Sequence, residues 1–271
     1  MAKVLVVTSG KGGVGKTTST AALGAALAQK GEKVVVIDFD VGLRNLDLVM
    51  GAERRVVFDL INVVQGVAKL SQALIRDKRL ENLWLLPASQ TRDKDALTDE
   101  GVGNIIADLR TKFDWILCDS PAGVERGALL AMRYADEAVI VTNPEVSSVR
   151  DSDRIIGMLD SKTVKAERGE RIAKHILITR YDLARASRGE MLSIDDMLEI
   201  LATPLLGIIP ESQEVLLASN VGSPVTLNNA VSAPARAYTD AVRRLMGKTV
   251  TMTVPVERKG LMNRIFGRRA A

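Results

Sequence analysis

The chain has 271 residues, 46% apolar and 26% charged, enough to bury a sizeable core in one large domain and unlike a fibrous or disordered protein. Its single Cys118 can close no internal disulfide and no Cys/His ligand cluster accompanies it, which implies a reducing, intracellular setting. The net charge of +4 is uneven: residues 248–271 hold six basic side chains against one acid, or +5, so the first 247 sum to −1. A body so near neutral is not built for broad nucleic-acid binding.

The chain opens on an apolar run at 3–8, too short for a signal peptide, and no run of about 18 apolar residues follows. A glycine-rich loop then leads into helical periodicity at 16–29, and a second apolar strand follows at 33–38. Further strands are expected at 83–86, 115–119, 138–142, 175–179 and 205–209. Helices are expected at 100–111, 147–159, 194–201 and 233–246. Ser193 with Asp196 forms a capping box at the start of the third of these. Several strands are apolar on both faces, as parallel strands covered by helices on each side must be. Strand and helix alternate, so the fold class is α/β, a doubly wound and mostly parallel sheet. No repeat or long linker appears before about Gly247. Residues 1–247 are read as one domain and 248–271 as a tail.

Gly10-Lys11-Gly12-Gly13-Val14-Gly15-Lys16-Thr17 lies between the first strand and the first helix. Successive backbone N–H groups of such a loop surround phosphate, and the helix N-terminus adds partial positive charge. Lys16 is expected to reach the β- and γ-phosphates and Thr17 to ligate magnesium. Gly10, Gly12 and Gly15 also match the dinucleotide fingerprint, with Asp38 near the position of its ribose-binding acid. That fingerprint does not require a Lys-Thr pair after the last glycine, whereas the phosphate loop does; Lys16 and Thr17 decide for the phosphate loop. Asp38 and Asp40 end the second strand and Asp119 ends the 115–119 run. Each alone could cap a turn, but three acids converging on a phosphate loop indicate a magnesium and water site.

Lys11 within Lys-Gly-Gly-x-Gly-Lys-Thr resembles the deviant Walker A motif of the ParA/MinD ATPases. The segment from Asp38 to Asp47, the stretch 87–94, Cys118-Asp119-Ser120-Pro121-Ala122-Gly123 and the stretch 142–154 narrow the resemblance to the division-site regulators of that family. It covers essentially the whole chain, tail included. The resemblance implies ATP and Mg2+ as ligands, with Thr18 completing the nucleotide-binding stretch and Thr179, Arg180, Pro210 and Glu211 beside adenine. It implies that Lys11 crosses to the partner's phosphates in an ATP-bound homodimer. Asp40 would position the attacking water, Asp38 would hold magnesium's water shell, and Asp119 matches the Walker B position. Arg44, Asp47, Asp151 and Asp153 would border surfaces for a division inhibitor (MinC-like) and an ATPase-stimulating regulator (MinE-like).

In the tail, Leu261, Met262, Ile265 and Phe266 form one stripe of a short helix flanked by Lys259, Arg264, Arg268 and Arg269. Spacing alone fits an interfacial membrane helix, a helix docked on the body or a disordered basic end. The resemblance favours anionic membrane lipid as its ligand. The implied function is an ATP-dependent, dimerising membrane switch that hydrolyses ATP and recruits the inhibitor to control septum placement. It would be cytoplasmic and reversibly peripheral on the inner face of the cell membrane, with no nucleic acid bound. A ParA-like DNA-partition ATPase is the alternative, disfavoured by the near-neutral body. An iron protein of the same superfamily needs two cysteines per subunit and is excluded.

Overall fold

The first strand, β1 (Lys3–Thr8), buries Val4 and Val6 in one core and Leu5 and Val7 in another. That alternation between two cores recurs across the sheet. A computed structural model gives the fold over residues 2–90 and 94–253. The residues 91–93 of the stretch 87–94, and Leu261, Met262, Ile265 and Phe266 of the tail, lie outside the described residues.

Eight strands form one sheet: β1, β2 (Val34–Asp38), β3 (Ile75–Arg76), β4 (Leu83–Leu86), β5 (Trp115–Asp119), β6 (Glu137–Thr142), β7 (Ala173–Tyr181) and β8 (Leu205–Pro210). Their order is β3-β4-β2-β5-β1-β6-β7-β8, parallel throughout except the β3–β4 pair. The expected strands all appear within two residues of their expected ends. β3 was not expected, since two residues carry no periodicity.

The helices of eight or more residues are α1 (Lys16–Gln29), α2 (Asp99–Arg110), α3 (Arg126–Arg133), α4 (Val146–Lys162), α5 (Ile194–Leu201), α6 (Gln213–Asn220) and α7 (Ala233–Leu245). Helices α2 to α5 cover one face of the sheet; α1, α6 and α7 cover the other. α1 is buried on nearly every side, which its alanines permit: small side chains let it lie between the sheet and α7. Tyr238 of α7 is fully buried, and its hydroxyl lies 2.9 Å from that of Ser19 on α1. The capping box at α5 forms as expected, Ser193 and Asp196 each bonding the other's backbone N–H. α3 and α6 were not expected; both are short, and α6 buries only Ala218.

Beyond α7, Arg244 gathers three carbonyls. Its guanidinium donates to Leu206 O of the edge strand β8 at 2.7 Å, to Val250 O at 3.1 Å and to Thr251 O at 2.8 Å. The beginning of the 248–271 segment is thereby stitched to the sheet. No helix among the described residues is long and apolar enough to cross a membrane.

Cys118, Trp115, Trp84 and His175 take no part in the site. Cys118 is buried in β5 with its thiol pushed up to about 12 by burial. Trp115 is core, and Trp84 meets Phe113 edge-on at 5.2 Å. His175 stands 3.9 Å from Glu137.

Candidate nucleotide site

Parallel strands end their carboxyl termini at one edge, and β1, β2 and β5 bring the chemistry together there. Asp38 and Asp119 stand opposite each other in register on β2 and β5, and Val7 of β1 is opposite Asp119 on its other side. The phosphate loop leaves β1 at this point. Gly13 and Gly15 have φ of 75° and 93°, a left-handed backbone that glycine adopts without strain, and Gly15 caps α1. A β-carbon at Gly10 would overlap the Asp151 carbonyl, so the loop rests on the backbone of α4.

Lys16 is 8% exposed and its Nζ donates to Lys11 O over 3.5 Å. Burial lowers its pKa, against the opposing pull of Asp119 and Asp40. Asp38 and Asp119 are both buried. Burial pushes Asp119 up to about 6, while hydrogen bonds from Thr17 and Thr20 hold it down in part. Thr20 Oγ1 donates to Asp119 Oδ1 at 2.9 Å. Asp38 is raised well above the ordinary carboxylate range by burial first and by Asp119 second. Its two oxygens accept from Asp40 N at 2.9 Å and from Leu46 N at 3.2 Å. Two desolvated carboxylates side by side call for a cation.

The residues present fit magnesium. Among the described residues no group of three or more His, Cys, Asp or Glu forms a metal cage. A divalent ion here would be held by the Thr17 hydroxyl, by phosphate oxygens and by waters that Asp38 and Asp119 orient, the usual arrangement for this small, hydrated ion.

Lys11 does not turn inward. Its Nζ donates to Glu145 Oε2 at 2.6 Å and to Ser147 Oγ at 3.1 Å, on the rim of the loop. Asp40 is half-buried, and its carbonyl accepts from Leu43 N and Arg44 N. Arg44 and Arg180 are non-glycine residues with φ of 45° and 54°, conformations that persist only where surroundings impose them. Arg180 and Glu211 are exposed at the ends of β7 and β8, and Glu211 N bonds Tyr181 O at 3.0 Å.

Asp47 differs from the sequence expectation. It is fully buried, 2.8 Å from Arg44 Nε although outside hydrogen-bond geometry, so no partner can touch its carboxylate directly. Any contribution to a surface goes through Arg44. Asp153 is exposed on α4, and Asp151 is partly covered by Gly10.

Two supporting roles escaped the sequence reading. Thr20 lies one turn after Lys16 and Thr17, a spacing that could have suggested it. Thr179 Oγ1 donates to Val14 O at 2.7 Å, tying β7 to the phosphate loop across 165 residues; nothing local signals that.

The family described as the CobQ/CobB/MinD/ParA nucleotide binding domain matches residues 5–225. The septum site-determining protein MinD of Escherichia coli strain K12 is 62% identical over 270 residues, covering 98% of this chain and 100% of that protein. Among solved structures, the MinC:MinD cell division protein complex of Aquifex aeolicus aligns at 42% identity and a TM-score of 0.80, covering 96% of this chain and 100% of that one. MinD of Pyrococcus horikoshii OT3 complexed with Mg-ADP aligns at 32% identity and a TM-score of 0.79, covering 90% and 96%. With this likeness over its full length and a deviant phosphate loop backed by Asp38 and Asp119, the chain belongs to the MinD group of the CobQ/CobB/MinD/ParA nucleotide-binding family.

Proposed function

We propose that the chain is an ATP-hydrolysing switch whose ATP-bound form dimerises, holds to anionic membrane and recruits a division inhibitor that restricts where the septum forms. The observation that carries this reading is the outward Lys11. A phosphate loop needs one lysine, and the buried Lys16 supplies it; the second, on the rim, is free to serve phosphates bound by another subunit once it leaves Glu145. The relative solved in complex with MinC and the relative holding Mg-ADP support the partner and the ligands.

Hydrolysis of a phosphoanhydride requires positioning and charge stabilisation, with no covalent nucleophile. The loop N–H groups and Lys16 would bind and orient the β- and γ-phosphates. Asp40 would hold the attacking water in line with the γ-phosphorus. Bound magnesium supplies Lewis-acid stabilisation of the phosphate oxygens. Lys11 of the second subunit would add a cation only on assembly, so turnover stays slow in the monomer and rises when a regulator completes the site.

The tail reading rests on physical terms. Four partly buried apolar side chains and the nearby basic residues gross about 6–8 kcal/mol, much of which chain ordering removes. One tail is then marginal, while two in a dimer act bivalently and gain on the order of a hundredfold or more. Co-sedimentation with anionic vesicles tests this. ATP should drive the full chain down, whereas ADP, removal of 248–271 or Phe266→Glu should leave it in solution. Equal sedimentation with ATP and ADP would refute the switch.

A further inference from the structure

Arg79 sits on the turn between β3 and β4, outside every segment that touches phosphate, yet it reaches two distant backbones. Its Nη2 donates to Met50 O at 2.9 Å and its Nη1 to Gly222 O at 3.0 Å. Asp77 fixes the guanidinium from behind, accepting from Nη2 at 2.8 Å and from Nε at 3.3 Å. The two carbonyls belong to backbones in direct contact. A β-carbon at Gly51 would stand 2.5 Å from Gly222 O, and one at Gly222 would stand 2.7 Å from Gly51 Cα. Both glycines have left-handed φ, 65° and 64°.

Each side of this junction leads to one end of the nucleotide site. Met50 ends the short helix Leu46–Val49, whose first residue bonds Asp38 through Leu46 N. Gly222 closes α6, which begins just after Pro210 and Glu211. α6 is poorly rooted in the core: Ala218 is buried, while Leu216 and Leu217 are 62% and 59% exposed. Its other packing is against the Leu46–Val49 helix and Val225–Asn228, so the Arg79 clamp fixes its C-terminal end to the same region that it packs on.

We propose that Arg79 is a positioning residue that couples the base-facing and phosphate-facing ends of the nucleotide site. By clamping Met50 O and Gly222 O across the Gly51–Gly222 contact, it lets a displacement at Pro210–Glu211 pass through α6 to the turn that holds Asp38. The inference rests on the nucleotide reading above. Its planar fork matters, because a lysine offers a point charge and cannot meet both carbonyls and Asp77 in the same fixed geometry.

Hydrogen exchange on the full chain with saturating ADP in EDTA isolates this path, since neither γ-phosphate nor magnesium then acts on Asp38 or Asp40. In the parent, ADP should slow exchange at 12–18 and, about tenfold, at 47–52. Arg79→Lys keeps a cation beside Asp77 and should retain its melting temperature and its protection at 12–18 while losing most protection at 47–52. Arg79→Ala, where it folds, should show the same loss. Equal protection at 47–52 in the parent and Arg79→Lys, or none there in the parent, overturns the coupling and leaves the nucleotide site standing. No protection at 12–18 in the parent overturns the nucleotide reading, and the coupling with it.

Discussion

Lys11 Nζ and Glu145 Oε2 lie 2.6 Å apart within one chain, although Lys11 belongs to the phosphate loop and Glu145 immediately precedes α4. The hydrogen bond from Lys11 is the main reason that the Glu145 carboxyl lies below its usual range. A lysine held this way is not available to a second subunit, so the assembly proposed above would have to exchange Glu145 for phosphate.

Lys11→Ala should therefore bind ATP as a monomer and fail to dimerise. Sedimentation velocity with ATP checks this; a doubled mass in the variant removes Lys11 from the interface. A carboxyl-carbon titration should also find the Glu145 pKa moving up toward the ordinary value when Lys11 is gone.

Lys16→Ala deletes the buried cation facing the phosphates. A hydrogen bond to a charged group is worth about 2 kcal/mol, so nucleotide affinity should fall by about 30-fold or more. Calorimetry with ATP gives the answer, and parental affinity would refute the phosphate-loop role.

Asp40→Ala should leave dimerisation intact and slow hydrolysis by about a hundredfold, the low end for a residue that positions or activates water. The variant should stay on vesicles with ATP long after the parent has left. Phosphate release at the parental rate would count against Asp40.

Burial pushes the Asp119 carboxyl up to about 6, and burial beside Asp119 raises Asp38 as well. A carboxyl raised on folding binds its proton more tightly in the native state than in the unfolded one. The nucleotide-free protein should therefore lose stability as pH rises from about 4 to about 6, a window in which Asp119 of the unfolded chain has ionised while the native carboxyl still holds its proton. Binding of magnesium and nucleotide needs the ionised forms, so affinity should run the other way, weakening below about pH 6. Thermal melts and calorimetry across pH 4.5–8 measure the two trends; parallel trends would rule out these acids as the cause.

Asp153→Ala should impair capture of the division inhibitor without altering ATP affinity, since Asp153 is exposed on α4 and remote from the phosphates in sequence. A pull-down with ATP-loaded protein decides it, undiminished capture excluding Asp153.

The phosphate loop was legible because its eight residues are contiguous and each has a stated reason for its type. Several strands were legible because both faces are apolar, and α1 because its helical periodicity follows directly on the glycine-rich loop. What stayed hidden depends on distance or on burial. Thr179 supports Val14 only because β6 and β7 pair in register beside β1. Asp47 was set at a partner surface by the resemblance, with no local pattern to show its burial; packing of Leu46–Val49 against α1 turns it inward. α6 was hidden because its leucines face outward, against the periodicity that marks a helix.

The Arg244 stitch bears on how copies of this chain can meet. An open strand edge is a template for adding strands from other molecules, and a sheet has two such edges. One edge here is β3, only two residues long. At the other, Arg244 occupies the Leu206 carbonyl of β8 and brings Val250 and Thr251 alongside. Both edges are blunted against strand addition and the runaway fibres it produces. The self-association proposed above therefore draws on the carboxyl edge and not on strand addition.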